Sequence, residues 1–336
     1  MRLAISHVAA LVLLFPMDAV AKERDPVKVE RPNAAKDLRS VVIGSFAVAF
    51  VTEKTDEAFA GGRLNRAGVI TRAKLANVDP AVFQAITDAA YADFQTRLAA
   101  AGYTLADRAT MLADQRFANA TFAASGAVGT IRYGKDSKAR AAYFSPTAFG
   151  GKGLLTSEVG NGELGGVGGG LANMTGIGGF MRGMRGFNAA NTRVMYAAMT
   201  HQPTISVVYV VDFAGAQRYG GRYAVQAGVN VRANLAVVDG LSTLTAYNAR
   251  GDRALLTVAE PIAVGGDFGT LADTTSGGTR ADNILGQGIA AAFGSGNSNH
   301  YTDVTFTAVT DQYRDGAVQA AVAANTRLIE RLAALR

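Results

Sequence analysis

An amphipathic helix between two extended runs restricts the folds that are open to this chain. Asp79 is a favoured N-cap residue, Pro80 suits the first helical position, and Gly102 suits the end of a helix. The run before the helix, at 39–51, is rich in β-branched and aromatic residues, and an extended segment follows the helix at 103–105. One face of the helix carries apolar residues at three- and four-residue steps: Phe83, Ile86, Ala90, Phe94, Leu98 and Ala101.

The second half of the chain has the pattern of an antiparallel sheet. Residues 205–213 are continuously apolar, which is typical of a strand covered on both faces. Residues 223–237 alternate apolar and polar side chains, and 241–247 and 253–259 flank a glycine-containing turn. A last strand at 304–308 precedes an amphipathic C-terminal helix. We therefore predict an α+β fold, with an N-terminal α/β layer of strand, helix and strand, a β-rich antiparallel half and a C-terminal helix.

The first 21 residues are typical of a cleavable secretory signal peptide. Arg2 supplies the positive charge, 3–15 form a short apolar run, and an A-x-A cleavage motif ends at Ala21. The apolar run is shorter than the roughly 20 residues that span a bilayer. The alternative is an uncleaved anchor or a buried N-terminal helix. We predict that a charged, mobile lead-in at 22–38 follows, and that 39–336 form a single α+β domain.

Composition favours an exported protein of the bacterial envelope. The chain has no cysteine, so it has neither disulfides nor a lipobox, which fits the periplasm. The net charge is +6 and the pI is about 9.5, which favours contact with an anionic surface. These charges are scattered, so a solvated surface is the simpler interpretation. We predict a periplasmic or outer-membrane-associated protein, and no nucleic-acid partner, because that partner is in another compartment.

A glycine-rich insertion at 150–187 separates the two halves. So many glycines cannot hold a regular helix, and the interspersed apolar side chains distinguish the segment from a flexible linker. Part of it is the candidate membrane or partner contact, in which apolar side chains enter an interface and arginines hold phosphates. The simpler alternative is a loop that buries its own Met and Phe side chains. The candidate contact residues are Phe180, Met181, Arg182, Met184, Arg185 and Phe187.

The sequence predicts no catalytic, cofactor-binding or metal-binding residues. After the signal peptide the only histidines are His201 and His300, too few for a zinc site without other ligands converging. Residues 160–165 match G-x-G-x-x-G, but the glycines that follow cannot open the helix that a dinucleotide-binding motif requires. No G-x-S-x-G nucleophile motif occurs. We predict no internal repeat.

The layout resembles the curli-secretion channel family (CsgG-like proteins) and the N-terminal domain of TolB. The resemblance rests on the strand at 41–51, the helix at 80–101 with the re-entry at 102–105, the strand at 207–213, and Val-Val-Asp-Gly at 237–240. Members of the channel family are typically lipoproteins, whereas this chain has no lipobox cysteine. The resemblance implies a role in the cell envelope, but it does not assign a function to any residue of this sequence.

Three functions remain open at this point. The first is an exported, non-enzymatic cell-envelope protein, an assembly or secretion accessory or a binding protein, whose partner is a second copy or another envelope protein. The second is a secreted hydrolase that acts on an acidic polymer or glycan and has no recognisable motif. The third is a membrane-inserting subunit that uses the alternating strand at 223–237.

Overall fold

The structure is a computed structural model that describes residues 25–61, 67–160, 191–221, 224, 226–283 and 298–336. It confirms the predicted α+β class, with a large mixed sheet, mostly antiparallel, and a C-terminal helix. The described strands are β1 (Val27–Glu30), β2 (Ser40–Ala60), β3 (Ala67–Ala76), β4 (Thr104–Leu105), β5 (Ala127–Arg132), β6 (Ser137–Phe144), β7 (Thr204–Tyr219), β8 (Gly228–Val237), β9 (Thr243–Tyr247), β10 (Arg253–Val258), β11 (Ile262–Ala263), β12 (Gly269–Asp273) and β13 (Ser298–Ala308).

The long strands β2 and β7 organise the sheet, whose main order is β1-β10-β9-β7-β2-β3-β13-β12. The first half of β2 pairs in parallel with the first half of β7, and its second half pairs antiparallel with β3. Strand β6 lies along the other edge of β2, and β8 pairs with the second half of β7. Two hairpins, β2–β3 and β7–β8, therefore extend away from the parallel centre of the sheet.

Helices cover both faces of that centre. The helices are α1 (Pro80–Ala100), α2 (Arg108–Ala113), α3 (Gln115–Ala118), α4 (191–200), α5 (277–283) and α6 (Thr310–Ala333). Helices α1 and α6 pack together over one face, where the Phe46 ring lies 5.3 Å from the Tyr91 ring and 5.7 Å from the Tyr209 ring. On the other face, Val42 of β2 packs with Met111 and Tyr196. Burying each of these large side chains contributes roughly 1.5–3 kcal/mol.

The prediction of a mobile lead-in at 22–38 is wrong from Val27 onward. Strand β1 pairs antiparallel with β10, and Val27 is 2% exposed. A 3₁₀ turn, Pro32–Ala35, follows, and Leu38 is fully buried. The segment's charges misled the prediction, because side chains such as that of Lys28 remain on the exposed face while its few apolar side chains enter the core. The ordered sheet therefore starts at Val27, before the predicted domain boundary at 39.

Strands β2 and β7 also continue well past the ends predicted for them. Each was expected to end with its apolar run, but β2 continues to Ala60 and β7 to Tyr219. The extension of β2 contains two charged residues that the structure buries, Lys54 and Asp56, and Asp212 is buried near the end of the run predicted for β7. The hairpin of β5 and β6 was not predicted, because its small and charged residues give no apolar run.

Candidate functional site

The residues predicted as a membrane or partner contact, Phe180, Met181, Arg182, Met184, Arg185 and Phe187, lie outside the described residues, within 161–190. That prediction therefore stands untested. Of the two histidines, His201 and His300 are both exposed and lie on different parts of the fold, after α4 and in β13. The described residues contain no group of three or more His, Asp or Glu side chains placed to hold a metal ion.

The first residues of the glycine-rich insertion, 150–160, pack against the sheet. Leu154 and Leu155 are 2% and 5% exposed, and residues 156–158 form a 3₁₀ turn. The Tyr143 hydroxyl donates a 2.7 Å hydrogen bond to the carbonyl of Gly160. A side chain at Gly129 of β5 would lie only 2.4 Å from the Gly160 nitrogen, so this close approach requires glycine there. The insertion is thus fixed to the sheet up to Gly160.

A buried ion pair connects the chain just before residues 161–190 with the chain just after them. The Arg193 guanidinium donates to Oε1 of Glu158, and the two side chains are 1% and 0% exposed. The other carboxylate oxygen, Oε2, accepts from the backbone N–H of Leu155. Glu158 precedes residues 161–190 and Arg193 follows them, so this pair clamps together the chain positions where that segment starts and returns. We call Glu158, Arg193 and the neighbouring Arg108 the base cluster.

Arg108 completes the base cluster. Its guanidinium donates to the carbonyls of Gly44 and Lys152 and lies 4.0 Å from the centre of the Phe149 ring. Partial burial lowers the pKa of Arg108, and the charge of Arg193 lowers it further, while Tyr91 and Glu158 raise it. Gly44 sits at the β2 bulge, where an added Cβ would lie 3.6 Å from Nε of Arg193. Two guanidinium groups and one carboxylate give the base cluster a net charge of +1.

A second buried polar cluster lies between the two hairpins. The Lys54 ammonium contacts Oδ2 of Asp212 at 2.7 Å and the carbonyl of Ala214 at 3.0 Å. The Tyr133 hydroxyl donates to the same Oδ2 at 2.9 Å, and the ring of Tyr133 lies 4.5 Å from Nζ of Lys54. Burial raises the pKa of Tyr133 well above its usual value, and the charges of Asp212 and Asp56 add to the rise. This cluster ties β2 to β7 and to the β5–β6 turn.

The return strands of the two hairpins are copies of one sequence motif, contrary to the prediction that the chain has no internal repeat. Residues 67–79, AGVITRAKLANVD, and 227–239, AGVNVRANLAVVD, are identical at 9 of 13 positions. A Gly-Gly-Arg sequence precedes each copy, at 61–63 and at 220–222. Each copy supplies the return strand of its hairpin, β3 in one and β8 in the other. Aligning the chain with itself at an offset of 160 residues would have found this repeat.

The repeated glycine performs the same task in both hairpins. Gly68 is the cross-strand partner of Phe59, and Gly228 is the partner of Tyr219. In each case the aromatic ring lies over the glycine, where a Cβ would be 3.0 Å from the Phe59 ring and 2.0 Å from the Tyr219 ring. An aromatic side chain placed over a strand glycine covers the backbone that the glycine leaves bare. The hairpin ends also touch, because the Gly221 N–H donates to the carbonyl of Phe59 at 2.7 Å.

Two further observations bear on function. No helix in the described part of the chain is both long enough and apolar enough to cross a membrane. The chain matches no protein-family profile, no curated protein and no solved structure.

Proposed function

We propose that this chain is an exported, non-enzymatic cell-envelope protein that acts as an assembly or secretion accessory, or as a binding protein, in the periplasm or at the outer membrane. Its partner is a second copy of the chain or another envelope protein, with an anionic surface as a further contact. The export signal and the resemblance to curli-secretion channel proteins are sequence arguments and are part of this proposal.

The buried Glu158–Arg193 pair is the structural observation that carries the proposal. Breaking a buried ion pair by removing one partner typically costs about 3–5 kcal/mol, so the pair holds the two ends of the intervening segment firmly. A rigid base of this kind suits a segment that presents contact residues to a partner, because it lowers the conformational entropy lost on binding. The predicted contact residues Phe180, Met184 and Phe187 lie in the segment that the pair encloses in sequence.

Export is tested by determining the N-terminus of the protein recovered from a Gram-negative host. We expect processing after Ala21, which leaves Lys22 as the first residue and β1 intact. Unprocessed protein in the cytosol would contradict the proposal.

Partner binding is tested by cross-linking and co-purification from the envelope fraction. We expect the triple variant Phe180→Ala/Met184→Ala/Phe187→Ala to lose its cross-linked partner by about tenfold while its melting temperature stays unchanged. The matched control is Met195→Ala/Met199→Ala, which removes two exposed methionines of α4 that are 44% and 66% exposed. Equal recovery of the partner with both variants would contradict a contact at Phe180–Phe187.

A secreted hydrolase acting on an acidic polymer or glycan is the alternative, and the net charge of +6 favours it. A general base needs a carboxylate with a lone pair free to reach the substrate. Both oxygens of Glu158 accept hydrogen bonds from the chain itself, and so do both oxygens of Asp212. Turnover of a glycan or ester panel by the purified protein would favour the hydrolase, and a flat profile would favour the binding role.

A further inference from the structure

Between the two hairpins, two buried carboxylates face a single buried ammonium, so one negative charge is not neutralised. Lys54, Asp56 and Asp212 are 7%, 3% and 5% exposed, so two negative charges face one positive charge. The Lys54 ammonium is committed to Asp212 and to the Ala214 carbonyl. Within the described part of the chain, no hydrogen bond or ion pair reaches the carboxylate of Asp56. A buried and unpaired carboxylate is costly, so such a group calls for a compensating cation.

The neighbouring strands do not supply that cation among the described residues. Side chains that alternate along a strand point to opposite faces. Lys138 and Arg72 pair across the strands with Thr55, and Lys74 pairs with Glu53, so all three lie on the face opposite Asp56. They are exposed there. The face that carries Asp56 instead has hydroxyl groups on both sides.

Those hydroxyls stand in one row with Asp56. Ser137 of β6 and Thr71 of β3 are its direct cross-strand partners, and Thr302 of β13 pairs with Thr71. Directly opposed residues in a sheet have their Cβ atoms about 4.5–5.5 Å apart. Ser137 and Thr71 are 4% and 3% exposed, and the Ser137 hydroxyl has no hydrogen-bond partner. An all-oxygen set of one carboxylate and hydroxyls suits a hard cation.

The sequence repeat shows that the hairpin itself does not need this hydroxyl. Thr71 occupies the position that Val231 holds in the second hairpin, and valine has nearly the same shape without the hydroxyl group. On either side of that position, along the same face, the two copies match, with Val69 for Val229 and Ala73 for Ala233. The hydroxyl at 71 therefore has a role outside the packing that the two hairpins share.

We propose that Asp56, with Ser137 and Thr71, binds a single monovalent alkali cation, Na⁺ or K⁺, between the two hairpins. One positive charge neutralises the one excess negative charge, whereas a divalent ion would leave a buried positive charge. The bound ion joins β6, β2 and β3 beside the Lys54–Asp212 pair and so stabilises the packing of the hairpins. This site does not depend on the proposed function, and its loss would leave partner binding by the glycine-rich insertion unaffected.

The test compares the melting temperature of the purified protein in sodium, potassium and choline chloride at equal ionic strength. We expect an alkali salt to raise the melting temperature by about 3 °C over choline at tenfold the dissociation constant. Asp56→Asn should lose the shift, and Thr71→Val should weaken binding severalfold. Glu57→Gln is the matched control, because it removes the next carboxylate of β2 on the opposite face, and it should keep the full shift. The ²³Na line width gives a direct readout of binding.

Equal melting temperatures in all three salts, together with an unbroadened ²³Na signal, would overturn the proposal. Stabilisation by calcium but not by sodium or potassium would overturn the assignment to a monovalent ion, and so would a full alkali shift in Asp56→Asn. If Asp56→Asn does not fold, Thr71→Val decides the question, since it copies the residue at the equivalent position of the second hairpin. A full alkali shift in Thr71→Val would then count against the site.

Discussion

Strands β2 and β7 each pass through two different environments, one covered by helices and one between hairpins. Up to Phe50 and Val211 they lie side by side in parallel, and their side chains are almost fully buried and apolar except for the small hydroxyl residues Ser45, Thr204 and Ser206. At the bulge that follows Asp212 and beyond the bulge that follows Val51, the same strands bury Asp212, Lys54 and Asp56. The helix-covered half gains stability from large apolar side chains, whereas the hairpin half depends on a few polar groups that must match one another.

The largest effect should come from removing Asp212, which joins the two hairpins. We expect Asp212→Ala to lower the free energy of unfolding by about 3–5 kcal/mol, because it leaves the Lys54 ammonium buried without its carboxylate. Urea unfolding measures this. The double variant Lys54→Met/Asp212→Leu should regain most of the loss, since an apolar pair of similar volume removes both buried charges. A loss below about 1 kcal/mol in Asp212→Ala would mean that the polar pair does not hold the hairpins together.

A smaller effect should distinguish the two copies of the repeat. We expect Gly68→Ala to destabilise the protein by about 1–3 kcal/mol, because its Cβ would press on both Asn299 and the Phe59 ring. Gly228→Ala should cost less, because the atoms nearest its Cβ all belong to the Tyr219 side chain, which is 61% exposed and can swing away. Chemical denaturation of the two variants in parallel provides the comparison. Equal losses would show that the two hairpins are equally constrained.

The smallest effect concerns a tyrosine in the helix-covered half and appears only at high pH. Burial raises the pKa of Tyr91 from 10 to about 12, with the Arg108 charge opposing the rise. Between these values the unfolded chain loses the proton and the folded chain keeps it, so stability falls as the pH rises. Between pH 9 and pH 11, we expect the free energy of unfolding to fall by about 1.4 kcal/mol less in Tyr91→Phe than in the original protein. Urea unfolding at both pH values checks this, and parallel losses would contradict it.

Much of the helix-covered half could be predicted from the sequence. The stripe on α1, its Pro80 start and its Gly102 end gave the helix almost to the residue, and Gly102 has the positive φ of 81° expected there. The apolar runs located the first halves of β2 and β7. These signals are local, because a helix or strand that buries one or both faces must repeat its apolar residues at a fixed spacing.

The polar features of the structure were not predictable in this way. Glu158 and Arg193 are 35 residues apart, and neither carries a local sign that it is buried. A charged residue is normally solvated, so Lys54 was not expected inside a strand. The repeat of 67–79 at 227–239 is present in the sequence, but its two copies are 160 residues apart, so the spacing of apolar residues within a short window does not indicate it.

Local patterns of apolar residues were enough to predict the class of fold, the principal helices and the strands of the helix-covered half, because apolar periodicity acts over neighbouring residues. The identity of the buried charges follows from the tertiary structure. Lys54 enters the interior because Asp212, 158 residues later in the chain, meets it there. The free energy of burying a charge depends on its partner in space, and spacing along the chain carries no information about that partner.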